Sequence, residues 1–120
     1  MIIGFHHIQL CIPIGEEERA RAFYSTILQF TEIEKPAALR KNGGLWYKVG
    51  EAELHIGTEQ PLPKGKGHPA FKVTDLSEWR ALLEKANIAI TEEIQIPGFE
   101  RFSFYDPFNN RIEMIEALET

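Results

Sequence analysis

An α+β fold built from two repeated halves, each a strand, a helix and three further strands, is what this 120-residue chain predicts. Three observations predict it. Apolar residues alternate with polar ones in eight short stretches and fall at helical spacing in two longer ones. The order of these patterns repeats on either side of a Pro- and Gly-rich stretch at 58–67. Ligand-type residues recur at matching places: His7 and His68 differ by 68 − 7 = 61, and His55 and Glu113 by 113 − 55 = 58.

The first strand spans 5–12, with Ile8, Leu10 and Ile12 on one face and His7, Gln9 and Cys11 on the other. Pro13 and Gly15 end it. A helix over 16–28 starts with Glu16, Glu17 and Glu18 at the positive end of its dipole. It carries Ala20, Phe23, Tyr24, Ile27 and Leu28 as a stripe. A short strand at 30–35 stops at Pro36. Residues 37–42 read as loop, Gly43-Gly44 as a turn, and 45–49 and 52–57 as two strands. Leu54 and Ile56 form the apolar face of the last strand, so Glu53 and His55 share the other.

The second half opens with a strand at 68–74, with Phe71 and Val73 apolar. Asp75 is the expected N-cap of a helix over 76–86, with Glu78 completing a capping box. Trp79, Leu82, Leu83 and Ala86 make its buried side. Strands at 89–95, 102–105 and 111–116 follow, with a turn at Pro97-Gly98 and another at 106–110. The chain is therefore expected to be one domain, with a first module at 1–58, a linker at 58–67 and a second module at 68–118. Each helix would cover one face of a four-stranded sheet. The two sheets, edge to edge, would curve around a cavity lined by their polar faces.

A chain of this length buries a core without disulfides, and its single cysteine, Cys11, fits a reducing cytoplasm. A net charge of −5, with no basic cluster longer than Arg40-Lys41, argues against a nucleic-acid partner. No apolar run approaches the ~20 residues of a membrane span, and no signal peptide opens the chain. A small molecule is the expected partner.

Ile112 and Met114 bury against a helix, which turns Glu113 to the opposite face. A carboxylate at mid-strand is costly unless it is paired or bound to a metal. A lone histidine or glutamate on a strand is more often a surface residue. What weighs here is common facing: His7, His55, His68 and Glu113 all lie on the face away from the helix. Imidazoles with a carboxylate are the donors that hold Zn, Ni, Co, Mn or Fe(II) while leaving positions open. Glu53 competes with His55 for its corner. Trp46, Glu53, Arg101 and Tyr105 are candidates for the wall of a substrate pocket; for Trp46 and Tyr47 packing in the core is the weightier reading, and a charged strand face is commonly just solvated.

These stretches resemble the glyoxalase / bleomycin resistance protein / extradiol dioxygenase group, the vicinal oxygen chelate superfamily. The resemblance rests on His7-Ile8-Gln9-Leu10, on 23–30 with Gln29 where the family has glycine, and on Gly43-Gly44-Leu45-Trp46-Tyr47. Leu54-His55-Ile56, His68-Pro69-Ala70-Phe71 and 106–113 complete it, with Asn109 in place of the usual glycine. It implies two βαβββ modules and a divalent metal that chelates vicinal oxygens and stabilises an enediolate or alkoxide. The family's ligand positions map onto His7, His68 and Glu113, with His55 at the more variable fourth corner. His55 and Glu113 are the implied proton-handling residues, and a homodimer is the implied assembly. The expected activity is a metal-dependent isomerase or lyase of glyoxalase type. An Fe(II) ring-cleaving dioxygenase and a non-catalytic drug-sequestering protein are its rivals.

Overall fold

The computed structural model describes residues 1–60 and 64–119. Residues 61–63, inside the expected linker, lie outside the described residues. By its contacts the chain divides into two units, Met1–Leu62 and Pro63–Thr120.

The first unit runs β1 (His7–Ile12), α1 (Glu17–Arg21), β2 (Thr31–Ile33), β3 (Leu45–Val49) and β4 (Ala52–Thr58). Its sheet has the order β1-β4-β3-β2. The β1–β4 join is parallel and the others are antiparallel. The helix is shorter than the expected 16–28, because α1 continues as a π-helical segment over Ala22–Ile27. Its wider turn is closed by Leu28 N–H donating to Phe23 O at 2.9 Å. The π turn still seats Phe23, Tyr24 and Leu28 in the core with Tyr47, Leu54 and Ile56. Each such side chain contributes on the order of 1.5–3 kcal/mol. Tyr24 meets Tyr47 at 6.0 Å between centroids, and Ser25 Oγ lies 2.9 Å from the Tyr47 hydroxyl. Gln29, where the family pattern has glycine, adopts a left-handed φ of 63°. The expected loop at 37–42 is a 3-10 helix, Ala37–Asn42. Such short turns lack the periodicity that marks longer helices.

The second unit runs β5 (Ala70–Lys72), α2 (Leu76–Lys85), β6 (Thr91–Glu92), β7 (Phe99–Tyr105) and β8 (Arg111–Ala117), with sheet order β5-β8-β7-β6. Here too the first and last strands pair parallel. Both units are thus βαβββ mixed sheets, as expected. Phe102, Phe104, Ile112 and Met114 form the apolar face under Leu76 and Leu83 of α2. Trp79 and Leu82 are only half-buried, and Ala86, expected on the buried side, is the exposed C-cap. β6 is two residues rather than the expected seven, and β7 begins three residues early.

The start of α2 corrects the expected capping box. Asp75 sits at φ 57°, ψ 53°, the left-handed region, and its side chain makes no cap hydrogen bond. An N-cap residue places its oxygen over the first turn from extended backbone, which Asp75 does not adopt. Glu116 of β8 does the work instead: its carboxylate accepts from Asp75 N–H at 2.8 Å and Leu76 N–H at 3.0 Å. Glu116→Ala is expected to cost about 1–2 kcal/mol, as loss of a cap does. Asp75→Asn, which tolerates the same backbone, should cost little. Urea midpoints of the two variants compare them directly.

Candidate functional site

The polar sheet face of each unit gathers the expected site residues. In the first unit His7 pairs with Glu53, and Gln9 with His55, across the β1–β4 join. Trp46 pairs with His55 across β3–β4. Paired residues point to the same side of a sheet, so these polar side chains share a face opposite Tyr47, Leu54 and Ile56. The ring of His55 is sandwiched. His7 stacks on it at 4.0 Å between centroids and 13° between planes, and Trp46 on the other side at 4.0 Å and 5°.

His55 is buried, and its Nε2 lies 2.9 Å from Glu53 Oε1. An ionised carboxylate only accepts, so His55 Nε2 carries the proton. This bond, above all, holds Glu53 below the usual carboxylate range. His7 is kept below the ordinary imidazole value by desolvation first, then by the neighbouring His55 and His6. His6, adjacent and outside β1, places its Nδ1 2.9 Å from His7 Nδ1. A cavity of about 290 Å³ opens beside the stack, lined by Gln9, Lys35, Asn42, Trp46, His55 and Thr58 among others. Trp46, for which packing is the weightier expectation, lines this cavity instead, while Tyr47 is core.

In the second unit Glu113 is buried at the centre of β8, 4% exposed. Its Oε1 accepts from Arg101 Nη1 at 3.1 Å and lies 3.0 Å from His68 Nε2. The mid-strand carboxylate is therefore paired, as its burial demands. His68 does not lie in a strand as expected: β5 begins two residues later. Pro69 has no N–H to give the ladder, and its carbonyl accepts from Glu113 N–H at 3.0 Å, opening the register. His68 Nδ1 lies 2.7 Å from Lys66 O. A carbonyl only accepts, so Nδ1 holds a proton, and Nε2 faces the Glu113 carboxylate, where either a proton or a cation must stand between the two.

Arg101, expected as a pocket residue, is anchored by two bonds to Ile94 O, from Nε at 3.0 Å and Nη2 at 2.7 Å. It serves as counter-ion to Glu113. Tyr105 pairs with Arg111 on the same face, with Lys64 Nζ 4.5 Å over its ring. A second cluster escaped the sequence reading. Glu93 accepts from Ser103 Oγ at 2.5 Å and Arg111 Nη2 at 2.5 Å, and these bonds hold its carboxyl low. The cross-strand pairing of Ser103 with Glu113 signals it, but only once the register is known.

Within either unit, among the described residues, no three His, Cys, Asp or Glu side chains form a group able to hold a metal. Each unit instead supplies a pair: His7 with His55 or Glu53, and His68 with Glu113. Two donors about 2.1 Å from one ion, at right angles to each other, stand about 3 Å apart. The 3.0 Å between His68 Nε2 and Glu113 Oε1 meets that condition. With Nδ1 held by Lys66 O, His68 Nε2 and the Glu113 carboxylate become a donor pair when a cation replaces the proton between them. The chemistry of the residues fits a divalent metal.

The family described as Glyoxalase/Bleomycin resistance protein/Dioxygenase superfamily matches residues 4–114. A crystal structure of a Bacillus anthracis protein ascribed to the glyoxalase family is 43% identical, with a TM-score of 0.92, covering 98% of this chain and 97% of that one. The fosfomycin resistance protein FosX from Listeria monocytogenes, solved with Mn(II) and sulfate, is 20% identical with a TM-score of 0.79, over 100% of this chain and 93% of that one. Lactoylglutathione lyase from Agrobacterium tumefaciens is 21% identical with a TM-score of 0.73, over 94% and 92% of the two chains. At these lower identities the likeness is one of fold. No curated protein matches the chain. Among the described residues, no helix is long and apolar enough to cross a membrane.

Proposed function

The chain belongs to the Glyoxalase/Bleomycin resistance protein/Dioxygenase superfamily, and on that premise we propose that it is a divalent-metal-dependent enzyme of glyoxalase type. Its substrate is a small molecule with vicinal oxygens. His7, His68 and Glu113 hold the cation, with a fourth donor from the hydrogen-bonded pair His55–Glu53. The observation that carries this reading is the His68–Glu113 pair, an imidazole nitrogen set 3.0 Å from a buried carboxylate oxygen with its other nitrogen held by Lys66 O. The Mn(II) in the FosX structure adds support for a divalent ion.

A bound cation supplies Lewis-acid polarisation of the substrate's adjacent oxygens. The chain's own residues do the rest. The Lys66 carbonyl keeps the proton of His68 on Nδ1, which presents Nε2 as a donor. Arg101 orients the Glu113 carboxylate. The Glu53–His55 pair keeps a proton on His55 Nε2, where it can be exchanged with substrate. Trp46 and Gln9 wall the cavity in which the substrate sits. A homodimer belongs to the proposal, supported by exposed Ile3 and Phe5 before β1 and Ile14 after it, apolar surface that a second copy would cover.

Metal analysis and turnover on one preparation test the reading. Stoichiometric Ni, Zn, Co or Mn with isomerisation of methylglyoxal–thiol adducts is the expected result. Oxygen-sensitive iron with ring cleavage, or a protein that takes up no metal, would overturn it. Sedimentation equilibrium on the same sample is expected to give twice the chain mass.

A further inference from the structure

We propose that the cavity beside the His55 stack takes a carboxylate on the ammonium of Lys35, so that the substrate is a small carboxylic acid whose anionic end lies away from its reacting oxygens. The proposal rests on the enzyme reading above for the cavity's being the substrate's. The pattern of ion pairs singles out Lys35. Every arginine has a carboxylate partner: Arg19, Arg21, Arg40, Arg80, Arg101 and Arg111. Every other lysine is exposed to water, whereas Lys35 is half-buried. Among the described residues it forms no ion pair, and its Nζ donates to the neutral carbonyl of Gly43. An ammonium has three N–H donors, so two remain at the wall of the cavity that Lys35 lines. A cation drawn partly out of water without a counter-charge is costly, and a ligand anion offsets that cost.

The walls around Lys35 suit an anion. Lys35 follows Ile33, the β3 partner of Trp46, by two residues, and alternation carries it to the side of Trp46 and His55. On that side β4 runs Glu53, His55, Gly57. A Cβ on Gly57 would lie 2.6 Å from Gln9 Nε2, so the missing side chain lets the Gln9 amide lie across the strand. That amide lines the cavity as a second N–H donor. Among the described residues no Asp or Glu lines it. Glu17 reaches the Gly43–Gly44 turn, but its Oε2 accepts from Gly44 N–H at 3.0 Å and it makes no ion pair with Lys35. One ammonium balances one negative charge. A carboxylate is therefore matched, while a phosphoryl dianion would keep a charge unbalanced in a protein of net −5. The volume of about 290 Å³ equals roughly ten waters at ~30 Å³ each, which limits the acid to a small one. His55 lines the same cavity, so the anion sits at Lys35 while the reacting oxygens turn toward His55.

Metal-free protein tests this by NMR, titrated with lactate and with lactamide, which has the same shape without the charge. Leaving out the metal keeps chelation out of the comparison. Lactate is expected to shift the Trp46 indole N–H and the Gln9 side-chain amide. It should bind about tenfold more tightly than lactamide, the size of one charge-assisted hydrogen bond. Lys35→Gln should bring the two affinities together, and Lys35→Arg should keep them apart. A lysine that only braces the Gly43 carbonyl would leave the ratio alone in both variants. Equal affinities in the unmodified protein, no shift at Trp46 with lactate, or a preference that survives Lys35→Gln would overturn the proposal. Turnover of vicinal-oxygen substrates beside equal affinities would sink the carboxylate site and keep the enzyme reading. A lactate preference on a protein that turns over no such substrate would do the reverse. The comparison in the unmodified protein does not depend on whether either variant folds.

Discussion

Glu113→Gln is expected to weaken divalent-cation binding by at least ~100-fold, beyond the 10- to 100-fold typical of losing an outer partner. Glutamine keeps the shape of the side chain and its Oε1 but loses the negative charge that a cation needs. The fold should survive. Arg101 keeps both bonds to the Ile94 carbonyl, and its guanidinium can still donate to the amide oxygen. The stability loss should stay near 1–2 kcal/mol, the difference between a charged and a neutral hydrogen bond. Isothermal titration with Mn(II) or Zn(II), beside a thermal melt of the metal-free protein, separates the two effects. Equal cation affinity in both proteins would remove Glu113 from the donor set.

Gly44→Ala is expected to be the most damaging small substitution in the first unit. Gly44 has φ 86°, a region costing other residues ~1–2 kcal/mol. A Cβ there would lie 2.1 Å from the Ile56 carbonyl oxygen and 3.2 Å from its carbon. Backbone, not a flexible side-chain end, would have to move, and it belongs to β4 next to His55. The cost should reach about 3 kcal/mol or more. Gly50→Ala is the control: φ is 59° there too, but nothing lies within 4 Å of the added carbon. It should cost only the backbone term, ~1 kcal/mol. Equal urea midpoints for the two variants would show that the close approach carries no weight.

Most of the fold could be read from residue order because two signals are local. Alternation placed Leu54 and Ile56 on one face and Glu53 and His55 on the other, as the strands place them. It did the same for Ile112 and Met114 against Glu113. What failed was set by distant partners. The start of α2 depends on Glu116, 41 residues beyond Asp75, so a nearby capping box looked sufficient. The π turn in the first helix leaves its apolar stripe nearly unchanged, so periodicity does not distinguish it. The candidate site was readable as a set of facings but not of orientations. That Glu53 and His55 lie two residues apart on one strand fixes a shared side. The stacking of His55 between His7 and Trp46 comes from three strands and fixes the plane of its ring. Glu93 was missed because the strand expected at 89–95 ends at Glu92, and its carboxylate joins Arg111 only through the sheet.

In both units the earliest strand pairs with the latest: β1 with β4 and β5 with β8. A chain leaving the ribosome therefore carries β1 without its neighbour until residue 52 follows residue 7, a gap of 52 − 7 = 45 residues. At roughly 5–20 residues per second, that interval lasts roughly 2–9 seconds, far longer than a hairpin needs to close. β3 follows only at the end of this interval, at Leu45–Val49, so Leu10 and Ile12 have no sheet to join for most of it. Holding chaperones, or slow codons placed before β4, would act on this window of synthesis.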